Sequence, residues 1–310
     1  MYKLYQSCRP WLWMIVAAFY LFLIQSTSAT AQDMEIVYPW DLPVAFASRA
    51  PVMAAITGYG SGMAIWNTET WTLKTNFRID TLISEGSTVF GWDDWAISPD
   101  GSKVALITKK ESIALLSTAS GKEMASIPNM AHTVVNQLAF TPDGSKLLIA
   151  VNDEYGKTGG ITVWTTKGKW LRRIPVYGDF CISPDSLKVV VASGNTQTGA
   201  YSISLFRISD GQRVQVIHSS EELDGPIAFS PDGHLIAMTA EDPKWPGPDS
   251  GPDGGAPSES AYQHQLKLNV WNVPTGKRIL SLPGLYEMQL EQENVFCRFS
   301  SDDRYLTALE

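Results

Sequence analysis

Four histidines and several acidic pairs are the groups in this chain with the chemistry to move a proton. His132 and His218 could serve as general bases near neutral pH, where imidazole titrates. Each stands where a turn-ordering side chain is expected, and that is the role assigned to both. His234 and His264 have no partners at metal-ligand spacing. Asp93-Asp94 and Glu221-Glu222 are neighbours in sequence, and neighbouring side chains on an extended strand point to opposite faces. Neither pair can form a shared acid/base site, and both read as solvated loop charges. Asp249-Ser250-Gly251-Pro252-Asp253-Gly254 begins like a calcium loop but lacks the spaced acidic ligands and the distant Glu. No G-x-S-x-G nucleophile elbow and no phosphate-cradling loop occurs. No catalytic, cofactor-binding or metal-binding residue is assigned, and no cofactor is expected.

The remaining chemistry is recognition. Aromatic and acidic side chains gather in segments between apolar runs: Trp92, Asp93 and Asp94; Asp153, Glu154 and Tyr155; Glu221, Glu222 and Asp224; and Trp245 with Tyr262. An aromatic anchor supplies buried area on binding, and charges steer encounter. The 310-residue chain carries a formal net charge of −8, and it has no basic run. Such a surface repels phosphate backbones, which excludes nucleic acid as a partner. A protein or another extracytoplasmic ligand is expected.

The elements that position these groups are set by a repeat. Ser98-Pro99-Asp100-Gly101 returns as Thr141-Pro142-Asp143-Gly144, Ser183-Pro184-Asp185-Ser186 and Ser230-Pro231-Asp232-Gly233, with a weaker copy at Ser300-Ser301-Asp302-Asp303. Pro presets the turn, Asp bonds to nearby backbone, and Gly takes the positive-φ position that closes a hairpin. Ser186 replaces that Gly, so its turn is expected to be looser or differently shaped. Each copy joins two β-prone runs, strands a and b. A third run, c, carries Trp66, Trp164, Phe206 or Trp271 near its end, at a position where core packing is expected. A second tight turn leads to strand d. Four strands in roughly 40–45 residues make one blade of a β-propeller.

The segments VNQLAFTPDGSKLLIA and ITVWTTKGKWLRRI, with GPIAFSPDGHLIAMTA and LKLNVWNVPTGKRILSL, resemble bacterial WD repeats. The resemblance implies an all-β fold: a β-propeller of four-stranded antiparallel blades, about five complete with a partial sixth. Blades are placed at about 44–77, 92–128, 134–175, 179–217 and 226–282, and the sixth starts near residue 294. The family's Asp after the strand c Trp is replaced by Asn67, Thr165 and Asn272, and its Gly-His survives only as Ala131-His132. These losses weaken the hydrogen-bond network such repeats use.

Residues 1–31 have the order of a secretory signal peptide. Lys3 and Arg9 precede an apolar run, and Ala29-Thr30-Ala31 places the cut before Gln32. The product is expected to be secreted or periplasmic. If the segment is not cleaved, it anchors the protein to the membrane, facing outside the cytoplasm. Residues 32–42 could supply a closing strand, and residues 43–310 form the repeat domain. The sixth blade stops after two strands, which predicts that the chain is part of a longer protein. Cys181 and Cys297 lie in apolar runs and are expected to be buried free thiols.

Rigid repeats with variable loops imply an interaction scaffold. The a–b and c–d turns are tight, whereas the b–c and d–a connections are longer and share one end of every blade. Residues 241–265, rich in Pro, Gly, Ser and Asp, are expected to be a mobile excursion. The alternative is an N-terminal or accessory propeller of an extracytoplasmic enzyme, a hydrolase or a cofactor binder, whose catalytic part lies elsewhere.

Overall fold

The computed structural model describes residues 44–57, 61–82, 95–110, 112–128, 133–153, 159–195, 200–219, 223–241, 264–287, 296–300 and 304–309. The expected signal segment, the closing strand at 32–42, His132, the calcium-like sequence and nearly all of 241–265 lie outside them. Among the described residues no helix is long and apolar enough to cross a membrane.

The chain divides into two compact units, one within Leu4–Asn129 and one within Met130–Glu310. The first holds two four-stranded antiparallel sheets. Blade 1 is β1 (Val44–Phe46), β2 (Val52–Thr57), β3 (Gly62–Asn67) and β4 (Thr72–Arg78). Blade 2 is β5 (Trp95–Ile97), β6 (Lys103–Ile107), β7 (Ile113–Ser117) and β8 (Glu123–Ile127). A shared core joins Val52, Ile56, Ile65, Trp95, Val104 and Leu116.

The second unit holds three such sheets. Blade 3 is β9 (Thr133–Phe140), β10 (Lys146–Asp153), β11 (Gly159–Thr165) and β12 (Trp170–Ile174). Blade 4 is β13 (Phe180–Ile182), β14 (Lys188–Asn195), β15 (Ala200–Arg207) and β16 (Arg213–Ser219). Blade 5 is β17 (Leu223–Phe229), β18 (Leu235–Glu241), β19 (His264–Asn272) and β20 (Lys277–Glu287). A two-stranded sheet, β21 (Phe296–Phe299) and β22 (Leu306–Leu309), stands where the partial sixth blade is expected.

Strand order follows chain order in every blade, so each is a meander. The second strands are apolar on both faces because both faces are covered. Leu147, Leu148, Ile149, Ala150 and Val151 are all buried on β10, as are Val189 to Ala192 on β14. The fourth strands are sheet edges and face solvent; β4 is exposed at five of seven positions. The strand c residues Trp66, Leu116, Trp164, Phe206 and Trp271 are buried, in keeping with their expected core role. Opposite each of them the register to strand d shifts by a bulge. An extra residue there increases the local twist of the edge strand.

The S-P-D-G turns share one bonding scheme. Ser98 Oγ donates to Asp100 Oδ1 at 2.6 Å and accepts the Lys103 N–H at 2.9 Å. Thr141 and Ser230 act likewise on Asp143 and Asp232. Even the weak copy keeps its bridge, with Ser300 Oγ accepting the Tyr305 N–H at 2.9 Å.

The turn at Ser186 corrects the expectation of a looser shape. Ser186 takes φ 63°, against 73° at Gly144 and Gly233. Its N–H bonds Ser183 O at 2.8 Å, as the N–H of Gly233 bonds Ser230 O. A serine therefore occupies the left-handed position without changing the turn.

Other boundaries also move. Strands b and c of blades 3 and 4 reach further than their apolar runs, so only residues 154–158 and 196–199 lie between them. In blade 4 this extension needs Gly194, where a Cβ would stand 2.4 Å from the Tyr201 ring. β20 continues through Pro283 to Glu287. A proline is tolerated there because strand d is an edge. His218 lies on β16, exposed and opposite Ser202. Cys297 is buried, but Cys181 is only half-buried, because β13 is the first strand of its sheet.

Candidate binding surfaces

The a–b turns of blades 2 to 5 are held by ionised aspartates. Burial raises the pKa of Asp100, but hydrogen bonds from Ser98 and from the backbone and hydroxyl of Ser102, with Lys103 nearby, lower it to about 2. In Asp143 and Asp185 burial opposes ionisation too, and the hydroxyl and N–H donors of the turn outweigh it. At Asp232 the Ser230 hydroxyl leads, followed by the His234 N–H. These carboxylates are engaged by their own turns, which makes them structural.

The opposite end carries the b–c and d–a connections. Of the expected partner-binding residues, Trp92, Asp93, Asp94, Glu154, Tyr155, Glu221, Glu222, Trp245 and Tyr262 lie outside the described residues. The backbone of the other two can be placed. Asp153 ends β10 and pairs with Thr133 at the start of β9. Asp224 is the second residue of β17 and pairs with Thr239. Both stand at the end of their blades from which the b–c and d–a connections leave.

Two residues at that end were missed by the sequence reading. Tyr177, in the d–a connection between β12 and β13, is 46% exposed. Its ring lies over Gly159, the first residue of β11, where a Cβ would meet it at 2.5 Å. Val134 is 51% exposed at the start of β9. The signal for Tyr177 was its neighbour Gly178: with φ 142°, a Cβ there would lie 1.7 Å from Ala192 O. Only glycine lets the chain pass so close to β14, and that pins the connection carrying Tyr177.

Polar bridges hold blades 3 to 5 together. Gln137 on β9 donates to Phe180 O and accepts the Phe180 N–H, each at 3.1 Å. Ser186 Oγ accepts the Asp143 N–H at 2.9 Å, linking the a–b turns of blades 3 and 4. Gln215 on β16 donates to Val273 O at 2.8 Å, reaching blade 5. Among the described residues no group of three His, Cys, Asp or Glu is placed to hold a metal ion.

No protein-family model matches the chain. It is 28% identical over 109 residues to an uncharacterized WD repeat-containing protein of Synechocystis sp.; the match takes in 34% of this chain and 29% of that relative. Among solved structures it is similar to Kuenenia stuttgartiensis hydrazine synthase, with a TM-score of 0.61 at 18% identity, covering 90% of this chain and 76% of that one. Successive four-stranded meanders and this likeness define a β-propeller fold. Within that class its repeated turns and the Synechocystis match make part of the chain similar to WD repeats.

Proposed function

We propose that this chain is an exported scaffold that captures a protein, or another extracytoplasmic ligand, on the end formed by its b–c and d–a connections. The carrying observation is the contrast between the two ends of each blade. At one end the turns are short and locked by repeated Ser/Thr–Asp bonds. At the other the connections differ in length and composition, and Tyr177 and Val134 stand exposed. A rigid scaffold with variable loops separates stability from recognition. The acidic charge favours a partner with a basic surface and steers it at low ionic strength.

The test is capture from the native compartment by purified chain and by two variants. One combines Tyr155→Ala, Tyr177→Ala and Trp245→Ala; the other combines Lys169→Ala and Lys277→Ala at the tight turns. The first is expected to lose the captured partner by at least about tenfold, as for removal of aromatic anchors, and the second to retain it. Loss in the second with retention in the first, both folded, places binding at the wrong end.

A second reading is an accessory propeller of an extracytoplasmic enzyme. It is favoured by the structural neighbour, which is an enzyme by name. A hydrolase motif in the parent gene, together with turnover that depends on this chain, would select it.

A further inference from the structure

The tight-turn end is built from short turns, yet it contains a cavity of about 190 Å³ where blades 3 and 4 meet. Three cations line it: Lys146, Lys188 and Arg207. Lys146 and Lys188 head β10 and β14, and both are half-buried. Ile208, 2% exposed, and Leu187, 60% exposed, supply apolar wall, and Ser186 and Ser209 line it as well.

Blade 4 departs from the other repeats at three positions, and all three line this cavity. Ser186 stands where Gly101, Gly144 and Gly233 stand elsewhere. Leu187 follows it, where blades 2 and 3 have Ser102 and Ser145, whose hydroxyls bond the turn aspartate. Arg207 lies directly across from Lys188 in the β14–β15 ladder. The corresponding partner is Asn67, Ser117, Thr165 or Asn272 in the other four complete blades. Like charges placed opposite one another on a sheet are unfavourable, and here the Arg207–Asp210 ion pair offsets part of that repulsion. An apolar side chain left in solvent beside them adds no stability of its own.

Nearby acids do not enter the cavity wall. Asp143 and Asp185 are held by their turns, and Asp210 is shared between the Gln212 N–H and the Arg207 guanidinium. We propose that the cavity is a recognition site for a carboxylate carried on a short aliphatic stem, as in a glutamyl side chain. Lys146 and Lys188 meet the charge, Arg207 adds a guanidinium that it shares with Asp210, and Leu187 and Ile208 cover the stem. The volume suits one side chain, being below the roughly 300–1,000 Å³ of cofactor and drug-sized pockets.

The experiment is calorimetric titration of the whole chain with N-acetyl-glutamic acid α-amide, with its glutamine counterpart, with a pentapeptide bearing one central Glu, and with inorganic phosphate. The glutamyl probe is expected to bind at least about tenfold more tightly than the glutaminyl one, since the charge-assisted bonds are lost. Lys188→Gln combined with Arg207→Gln is expected to weaken binding by a similar factor. Leu187→Ser, which restores the residue of blades 2 and 3, is expected to weaken it roughly threefold through lost apolar cover. Circular dichroism and thermal unfolding verify that the variants are folded. Tighter binding of the pentapeptide identifies a peptide as the source of the carboxylate, and equal binding identifies a free acid; both support the site. Equal binding of glutamyl and glutaminyl probes, tighter binding of phosphate, or unchanged binding by folded Lys188→Gln/Arg207→Gln protein overturns it.

Discussion

Ser186 and Trp71 hold backbone angles for which this protein otherwise uses glycine. Trp71 takes φ 53° in the c–d turn of blade 1, where Gly121, Gly168, Gly211 and Gly276 stand in the other complete blades. A side chain in that region costs about 1 kcal/mol and persists where surrounding contacts over-determine it. At Ser186 one such contact is visible, the Asp143 N–H bonded to its Oγ. Ser186→Ala is expected to keep the strain and lose the bond, lowering unfolding stability by about 1–2 kcal/mol. Ser186→Gly trades the bond for relief of strain and is expected to change stability by less than about 1 kcal/mol. Urea unfolding of both variants checks the pair, and the order Ala below Gly is the critical result.

The turn aspartates predict the response to acid. Asp100 is lowered to about 2 in the folded state, against roughly 4 in an unfolded chain. Its contribution is therefore fully present above about pH 4 and lost as pH falls through 2. Asp143, Asp185 and Asp232 are shifted in the same direction. Thermal midpoints measured from pH 5 down to pH 2 are expected to fall steadily. Asp100→Asn should flatten part of that slope and, because the group is exposed, cost only about 0.5–1 kcal/mol at pH 7.

At the scale of elements, an apolar core joins blades 1 and 2, and apolar cores with side-chain bridges to backbone join blades 3 to 5. β13 has three residues, too few to be held by its own ladder to β14 alone. Gln137 satisfies both polar groups of Phe180 on that strand. Gln137→Leu leaves that N–H and carbonyl without this partner in a half-buried site and is expected to cost about 2–3 kcal/mol. Gln137→Glu can still accept but not donate, so its loss is expected to be smaller at low pH, where the acid regains a proton. Equilibrium unfolding of both at pH 7 and pH 4 distinguishes a hydrogen-bonding role from mere filling of space. The bulges opposite Trp66, Leu116, Trp164, Phe206 and Trp271 belong to the same scale. They repeat because the same residue position meets the same edge strand in every blade.

For the whole molecule, the charge distribution and the two ends of the blades set the expected behaviour. With residues 1–31 removed the chain becomes more acidic, since that segment holds Lys3 and Arg9 and no acid. N-terminal sequencing of exported protein is expected to begin at Gln32. Intact Met1 on membrane-bound protein would instead indicate an anchor. Partner capture at the loop end is expected to weaken as salt rises from 0.05 to 0.5 M, because the Debye length shrinks several-fold over that interval, from about 14 to 4 Å. Salt-independent capture would assign the interaction to Tyr177 and its apolar neighbours.

The repeat, the strands, the turns and the buried strand c aromatics were all legible in the sequence, because each follows from local chemistry. A proline and an aspartate two to five residues from their partners dictate a hairpin wherever they occur, and apolar alternation marks which face is covered. The partial sixth blade was legible for the same reason. The shape of the Ser186 turn was not, since glycine's absence there is compensated by a residue 43 positions away. The Gln137 bridge spans the same separation. The cavity among Lys146, Lys188 and Arg207 also needs two blades brought together. One repeat of sequence separates such partners, so no local pattern signals them; packing one sheet against the next creates them. Local turn chemistry and strand periodicity thus determined that this chain builds four-stranded blades. Tertiary packing decided which departures from the repeat meet at one place.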